Sequence, residues 1–438
     1  MGLVRSLVRE RRDVALDALA LALVVATPVV LIAVWKLTGV GFLIEADLVS
    51  ILALAVIVLS LNLVAGYTGI PHFGLHLFVY IGAFGMSAMA MRLYIAIVGL
   101  ADSSLRESLL SDEIIARYAG SLQEVLVQAT YRTLSARVSD IIGSHASSSF
   151  FLWLLYLSLG LFSSVLLSLL FAFVLGLVAL RLRGDYLAIF SLVLAELMVT
   201  VIFHNLELLG GGAYGVSAPQ VIPHSGLLSS LNDTLRVGSP SFIVTTALLL
   251  AVLIAVYAYS VKVSNSPLGR LLRGIRDDEV VAGIFGRDVG AVKMRVLILG
   301  CVIASLAGAI YTLYMLSVIP TSFDRMNWTF LPWTMMILGG MANNRGVIVG
   351  ALLVYLLRRL SSLLTPEVLE AAASAMGVSL ESHAVTEVQA IMPHIVTGVL
   401  VLLVLYLRPQ GLIPEEPSKT LRPRVLSATL HDSSRESS

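Results

Sequence analysis

An all-α polytopic membrane fold of about ten transmembrane helices with one long charged cytoplasmic loop is what this sequence predicts, and three observations predict it. Of its 438 residues 58% are hydrophobic and only 13% are charged, with a mean hydropathy of +0.92, well beyond the apolar fraction of a soluble domain. Several apolar runs reach the roughly 20 residues a helix needs to cross about 30 Å of hydrocarbon, which favours helices over the short alternating strands of a barrel. Lys and Arg gather in alternate loops, the pattern that orients helices in a membrane. The formal net charge of +1 gives no reason to expect nucleic acid as a partner. Cys301 is the single cysteine, so an intrachain disulfide is excluded.

Taken in order, the chain begins with a basic arm, residues 1–14, whose Arg5, Arg9, Arg11 and Arg12 place it in the cytoplasm. The run from Ala15 to Trp35 is too long for a signal-peptide core and has no convincing small-residue cleavage site, so it reads as a retained span. Further spans are expected at about 47–65, 73–91, 151–180, 186–203, 241–261, 296–318, 330–342, 347–361 and 391–407. Ten spans leave both termini on the cytoplasmic side of the cell membrane. The inside loops then hold Arg181 and Arg183, seven Lys or Arg between Lys262 and Arg295, and Arg408, Lys419, Arg422 and Arg424. The outside loops are neutral to acidic: 362–390 carries Glu367, Glu370, Glu381 and Glu387 without a Lys or Arg. Arg358 and Arg359, near the outer end of the ninth span, fit this rule least well, and the two short spans flanking Gly339 to Gly346 also suit a re-entrant hairpin. The transmembrane domain is thus 15–412. Its outer insertion 101–149 keeps a helical period and reads as one or two amphipathic helices, and the Pro-containing, charged segment 413–438 reads as a disordered cytoplasmic tail.

The most informative loop is Ser264 to Lys293. Ser266 before Pro267 is a helix start, because the serine oxygen can accept from an orphan amide and a proline at the first helical position loses no needed bond. Leu268, Leu271, Leu272 and Ile275 fall on one face, with Arg270, Arg273 and Arg276 on the other. Asp277 or Asp278 can cap a second short helix through Ala282 and Phe285, with Gly286 as its stop. The functional reading is a docking surface; the plain one is an ordinary solvated loop.

Within the spans, polar side chains are the candidates. Glu196 interrupts an apolar run, where an acid costs on the order of 2.5–3.5 kcal/mol by insertion scales, so it should face protein or water. It either contacts a substrate ammonium group or is a structural carboxyl. Asn62 is cheaper to bury and reads first as an interhelical hydrogen bond and second, with Glu196, as a candidate of the substrate pathway. His72 and His76 share a helical face, but Phe73 stands where a metalloprotease has its glutamate and no third ligand lies nearby, so no metal site is expected. They read as interior histidines first and as a polar wall of a pathway second. Gly300, Ala304 and Gly308, and again Gly346 and Gly350, make small-residue stripes that allow close helix approach. No Ser/His/Asp or Cys/His arrangement suggests an enzyme, and the absence of G-x-x-x-x-G-K-[ST] means that this chain has no phosphate loop for ATP.

Three separated segments carry a family resemblance: GYTGIPHFGLHLFVYIGAF at 66–84, LRLRGDYLAIFSLVLAELM at 180–198, and SPLGRLLRGIRDDEVVAGIFG at 266–286, the last followed by LAGAIYTLY, LGG at 338–340 and RPQGL at 408–412. In that order they resemble the permease subunits of branched-chain amino acid ABC transporters of the LivM type, over most of the chain from about Leu61 to Leu412. The resemblance implies that Gly269 to Gly286, with Arg270, Arg273, Arg276, Asp278, Glu279 and Ala282, is a coupling loop seated on an ATP-binding subunit. It also implies a second homologous permease, two ATP-binding subunits and an external substrate-binding protein, with no cofactor in this chain and ATP bound by the partners. Val281, Gly283 and Phe285 depart from the family's alanine-rich version of the loop. The expected function is half of a translocation pathway for branched-chain or related small amino acids, worked by alternating access. Rival readings are a permease for urea or short amides, a stand-alone ion-coupled transporter with Glu196 as its ion site, and, least of all, an intramembrane hydrolase using His72 and His76.

Overall fold

The structure, a computed structural model, describes residues 41–129, 132–179, 181–182, 184–205, 212–222, 241–362 and 382–415. The expected first span, 15–35, and most of the tail lie outside the described residues. Among the described residues six helices are long and apolar enough to cross a membrane. In the numbering used below the spans are α1 (Gly41–Leu61, continued by a π turn Asn62–Tyr67), α2 (Leu75–Ala101, with a π turn at Gly85–Met89), α7 (Phe150–Ala179), α8 (Gly184–Phe203, the last part a π turn Leu197–Phe203), α9 (Ser241–Ser264) and α12 (Val289–Met315). A π turn Met326–Phe330 leads into α13 (Leu331–Gly339), which pairs with α14 (Asn344–Ser362); α15 (Ser382–Leu407) closes the bundle.

Contacts sort the helix ends into two groups. At one end lie the termini of α1 and α2 around Gly66 to Gly74, the loop after α9, the α13–α14 turn and residues 408–415. Arg276 there donates to the Gly66 carbonyl, and Leu412 and Ile413 donate to the carbonyls of Leu338 and Gly339. At the opposite end Asp47 meets Tyr355 and Arg359, Phe242 packs on Tyr314, and a two-residue antiparallel pairing joins β1 (Val216–Ser217) to β2 (Ser317–Val318). Successive spans therefore alternate in direction, as the loop charges require.

Backbone sets the centre of the bundle. A Cβ on Gly308 would overlap the Val79 carbonyl, and one on Gly82 would overlap the Ser305 carbonyl, so α2 and α12 touch main chain to main chain. Gly300 receives Val64 of α1, and Gly339, Gly346 and Gly350 bring α13 onto α14. The small stripe on α12 is thus filled from within the chain. Hydroxyls stitch α7 to α2: Ser163 donates to the carbonyl of Gly85, the first residue of the π turn, at 2.8 Å, and Ser164 to that of Gly82, just before it, at 2.9 Å.

The insertion at 101–149 corrects the sequence expectation. It forms four short helices, α3 (Ser103–Ser111), α4 (Glu113–Tyr118), α5 (Leu122–Gln128) and α6 (Arg132–Ser147), rather than one or two. The reason is local: Asp102, Asp112 and Ser121 each accept a backbone amide and start a new helix. Leu105, Leu109, Ile115, Val125, Leu134, Val138 and Ile142 form its buried side. Asp102 also lies 3.1 Å from His145 Nε2, whose Nδ1 meets Tyr94 Oη at 3.0 Å, anchoring the cap to α2. The misfit of Arg358 and Arg359 also has a reason. Arg359 pairs with Asp47 at 2.7 Å and Arg358 donates to Asn327 at 2.6 Å, so both guanidinium groups are held by the protein at that end.

Candidate functional site

Between Tyr67 and Leu75 the chain is not helical, and its return is fixed by small residues. Gly69 has φ +74°, and Gly74 comes so close to the Ser191 carbonyl of α8 that no Cβ would fit. Phe73 N donates to Ser191 Oγ at 3.0 Å while its ring stacks on Trp333 of α13 at 4.6 Å. This wedge sets the two histidines in different surroundings. His72 turns into the core, with Nε2 3.8 Å from Cys301 Sγ, its ring against Phe78 and its carbonyl accepting from Trp333 Nε1. His76, 1% exposed, takes the opposite course: its backbone amide and Nδ1 both meet Thr329 Oγ1, at 3.0 and 3.1 Å, and its Nε2 lies 3.6 Å from Glu196 Oε2.

Glu196 stands at the junction between the α-helical part of α8 and its π turn, a geometry often associated with functional positions. The carboxylate is 35% exposed, accepts from Thr200 Oγ1 at 3.1 Å, and faces Arg325 Nη1 at 3.4 Å. One acid, one half-exposed cation, one buried imidazole and one hydroxyl thus converge from α8, the loop before α13, α2 and the π turn of α13. Chemically the group can hold opposite charges side by side. Arg325 and Thr329 were not singled out in the sequence; the one available signal was a lone Arg in a loop that the charge pattern makes neutral to acidic.

Asn62 lies elsewhere. In the π turn of α1 it is fully buried, accepts from Ala342 N at 2.8 Å and donates to Asn344 Oδ1 at 3.0 Å. Both ends of its amide are spent on the α13–α14 turn, where Ala342 holds φ +57°.

The loop after α9 folds as two helices, α10 (Pro267–Asp277) and α11 (Glu279–Ile284). Ser266 Oγ accepts from Gly269 N at 3.3 Å, Asp278 Oδ1 accepts from Val280 and Val281 N, and Gly286 follows with φ +73°. Gly269 is pressed on the carbonyls that end α9, and Ala282 packs with Ile275 and Val289. The arginine face is divided. Arg270 is exposed, whereas Arg273 and Arg276 turn back onto the chain and bind Glu415 at 2.7 and 2.9 Å. Burial works against the Arg276 charge, but hydrogen bonds and attraction from Glu415, then Asp277, outweigh it and raise its pKa above the ordinary value. Glu279 pairs with Lys293. Beside its exposed charges the hairpin presents a group of apolar side chains outward: Val280, Ile284 and Phe285 are 72%, 78% and 78% exposed, with Val281 beside them. Residues 413–415, assigned to the tail by sequence, are instead packed: besides the Ile413 bond, Pro414 O accepts from Asn343 Nδ2 at 2.9 Å.

Apolar spans on a glycine-packed core, with a polar cluster between them and a capped amphipathic hairpin at one end, define an all-helical polytopic membrane protein. Residues 43–405 match the model of a family described as branched-chain amino acid transport system / permease component, and the chain belongs to that family. A probable branched-chain amino acid transport permease protein LivM of Methanocaldococcus jannaschii is 29% identical over 380 residues, 85% of this chain and 94% of the relative. The high-affinity LivM permease protein of Escherichia coli is 30% identical over 204 residues, 43% of this chain and 47% of the relative. No solved structure matches the chain.

Proposed function

We propose that this protein is the membrane-spanning subunit of an ATP-driven importer for branched-chain or related small amino acids, working by alternating access. The observation that carries the reading is the α10–α11 hairpin. It is rigidly capped, continuous with α9 and α12, and exposes Val280, Val281, Ile284 and Phe285 together. An apolar patch of this kind on a water-facing loop calls for a protein partner. Since the described chain carries no phosphate loop, that partner is an ATP-binding subunit, present twice beside a second permease and an external binding protein. Movement of the ATPases against the hairpin is passed to α9 and α12 as a rigid-body shift.

The pathway reading includes Glu196, with His76 beside it and His72 behind. Glu196 and Arg325 offer the two charges that complement an amino acid's ammonium and carboxylate, 3.4 Å apart in the closed pair. Co-reconstitution with candidate ATPases and binding proteins tests the proposal: leucine uptake that requires ATP and the ATPase pair is expected. Uptake by the chain alone on an ion gradient would instead favour the ion-coupled reading, and stimulation of hydrolysis by urea or an amide would move the cargo assignment. In the active assembly, Glu196→Gln and Arg325→Gln should each raise the leucine concentration for half-maximal uptake by about tenfold or more, the scale of one lost charge-assisted contact.

A further inference from the structure

Four segments that are far apart in sequence form a closed ring at the hairpin end of the bundle. Glu415 spans Arg273 and Arg276 of α10 through its two oxygens, at 2.7 and 2.9 Å. Arg276 Nη1 donates at 2.9 Å to the Gly66 carbonyl in the π turn of α1, and the Arg273 guanidinium lies 5.2 Å from the centre of the Tyr67 ring. In the same π turn Asn62 holds the α13–α14 turn at Ala342 and Asn344. That turn is joined back to Glu415 by the strap before it: Leu412 N to Leu338 O at 2.8 Å, Ile413 N to Gly339 O at 3.0 Å, and Asn343 Nδ2 to Pro414 O at 2.9 Å. Two glycines make the strap possible, Gly340 at φ +115° and Gly411 at φ +82°, each too close to the other segment to carry a side chain.

We infer that Glu415 is a positioning residue that makes the C-terminal strap part of the coupling apparatus, so that α10 moves together with the α13–α14 turn and the end of α1. The inference rests on the reading of the hairpin as the ATPase-facing element. The carboxylate and its two arginines are 28%, 14% and 25% exposed, which limits both solvent screening and exchange of partners. Opening the ring at Glu415 removes the direct link between α10 and the turn, leaving only the indirect one through Gly66 and Asn62 of the α1 π turn, and does not alter the exposed patch of α11. The ATPase therefore still docks, but its movement reaches α13 and α14 less directly than it reaches α9 and α12.

Two measurements test this, both on the full chain. In lipid nanodiscs, Glu415→Gln should speed hydrogen exchange about tenfold in 267–277 and in 339–346 together, the factor expected on losing one charge-assisted contact, while 103–147 keeps its protection. Change in only one of the two segments, or in neither, overturns the ring. Glu415→Asp, too short to bridge both arginines, should fall between. In the reconstituted assembly, Glu415→Gln should raise the ATP hydrolysed per leucine imported severalfold. An equal fall in hydrolysis and uptake, leaving the ratio unchanged, is the result of a merely stabilising contact and would overturn the positioning role. An inactive wild-type assembly would refute the transport reading alone, because the exchange measurement still decides whether the ring exists.

Discussion

Replacing Asn62 with Leu preserves size and removes both hydrogen bonds at once. Two buried partners lose their bonds, the amide of Ala342 and the Oδ1 of Asn344. Neither can reach water, since Ala342 and Asn344 are 2% and 6% exposed. At about 1–2 kcal/mol for each orphaned group, the lower half of the range for buried polar groups because transmembrane hydrogen bonds average less, the loss is about 2–4 kcal/mol. SDS-driven unfolding in mixed micelles, followed by far-UV circular dichroism, would read it. A double-mutant cycle of Asn62→Ala with Asn344→Ala should show a coupling of about 1 kcal/mol. A loss below about 0.5 kcal/mol for Asn62→Leu, the scale of an unremarkable surface change, would refute the claim that this amide holds α1 to the hairpin.

Other perturbations separate packing from function. Gly308→Leu forces a side chain into the Val79 main chain and should abolish stable folding of the bundle, seen as loss of the monodisperse peak in detergent. Ile284→Asp with Phe285→Asp should leave thermal stability within about 0.5 kcal/mol, since both side chains are exposed, yet reduce ATP-driven uptake at least tenfold. Acidification should loosen the outer cap through Asp102. Hydrogen bonds from the Ser104 side chain and backbone, with His145, hold this carboxyl below its ordinary value of 3.8, so its contribution is complete above that value and is lost as pH falls through the lower, folded-state value. Exchange of the Ser104 amide should accelerate there, and Asp102→Asn should remove the pH dependence.

How much of this was legible in the sequence depended on the range of the interaction. The two helices α10 and α11 were readable because capping is local: Ser266, Asp278 and Gly286 act within three residues of their own positions. The same chemistry, overlooked at Asp112 and Ser121, is why the outer cap was undercounted; sustained periodicity hid the interruptions. The small stripe on α12 marked a close approach, but nothing in it specified Val64 and Val79 as the contacts. Glu196 stood out as an acid in an apolar run, while Arg325 and Thr329 did not, because only tertiary folding brings them to it. Arg273 and Arg276 looked like free surface charge for the same reason: their carboxylate partner lies at the far end of the chain.

The main-chain contact between α2 and α12 has a kinetic side. Where side chains interlock, a helix can shift by changing rotamers. Val79 and Ser305 instead offer carbonyls to the α carbons of Gly308 and Gly82, and those atoms have no rotamers to change. The two helices are therefore one girder, and any cycle of opening and closing has to hinge around it, at places such as the π turns on either side.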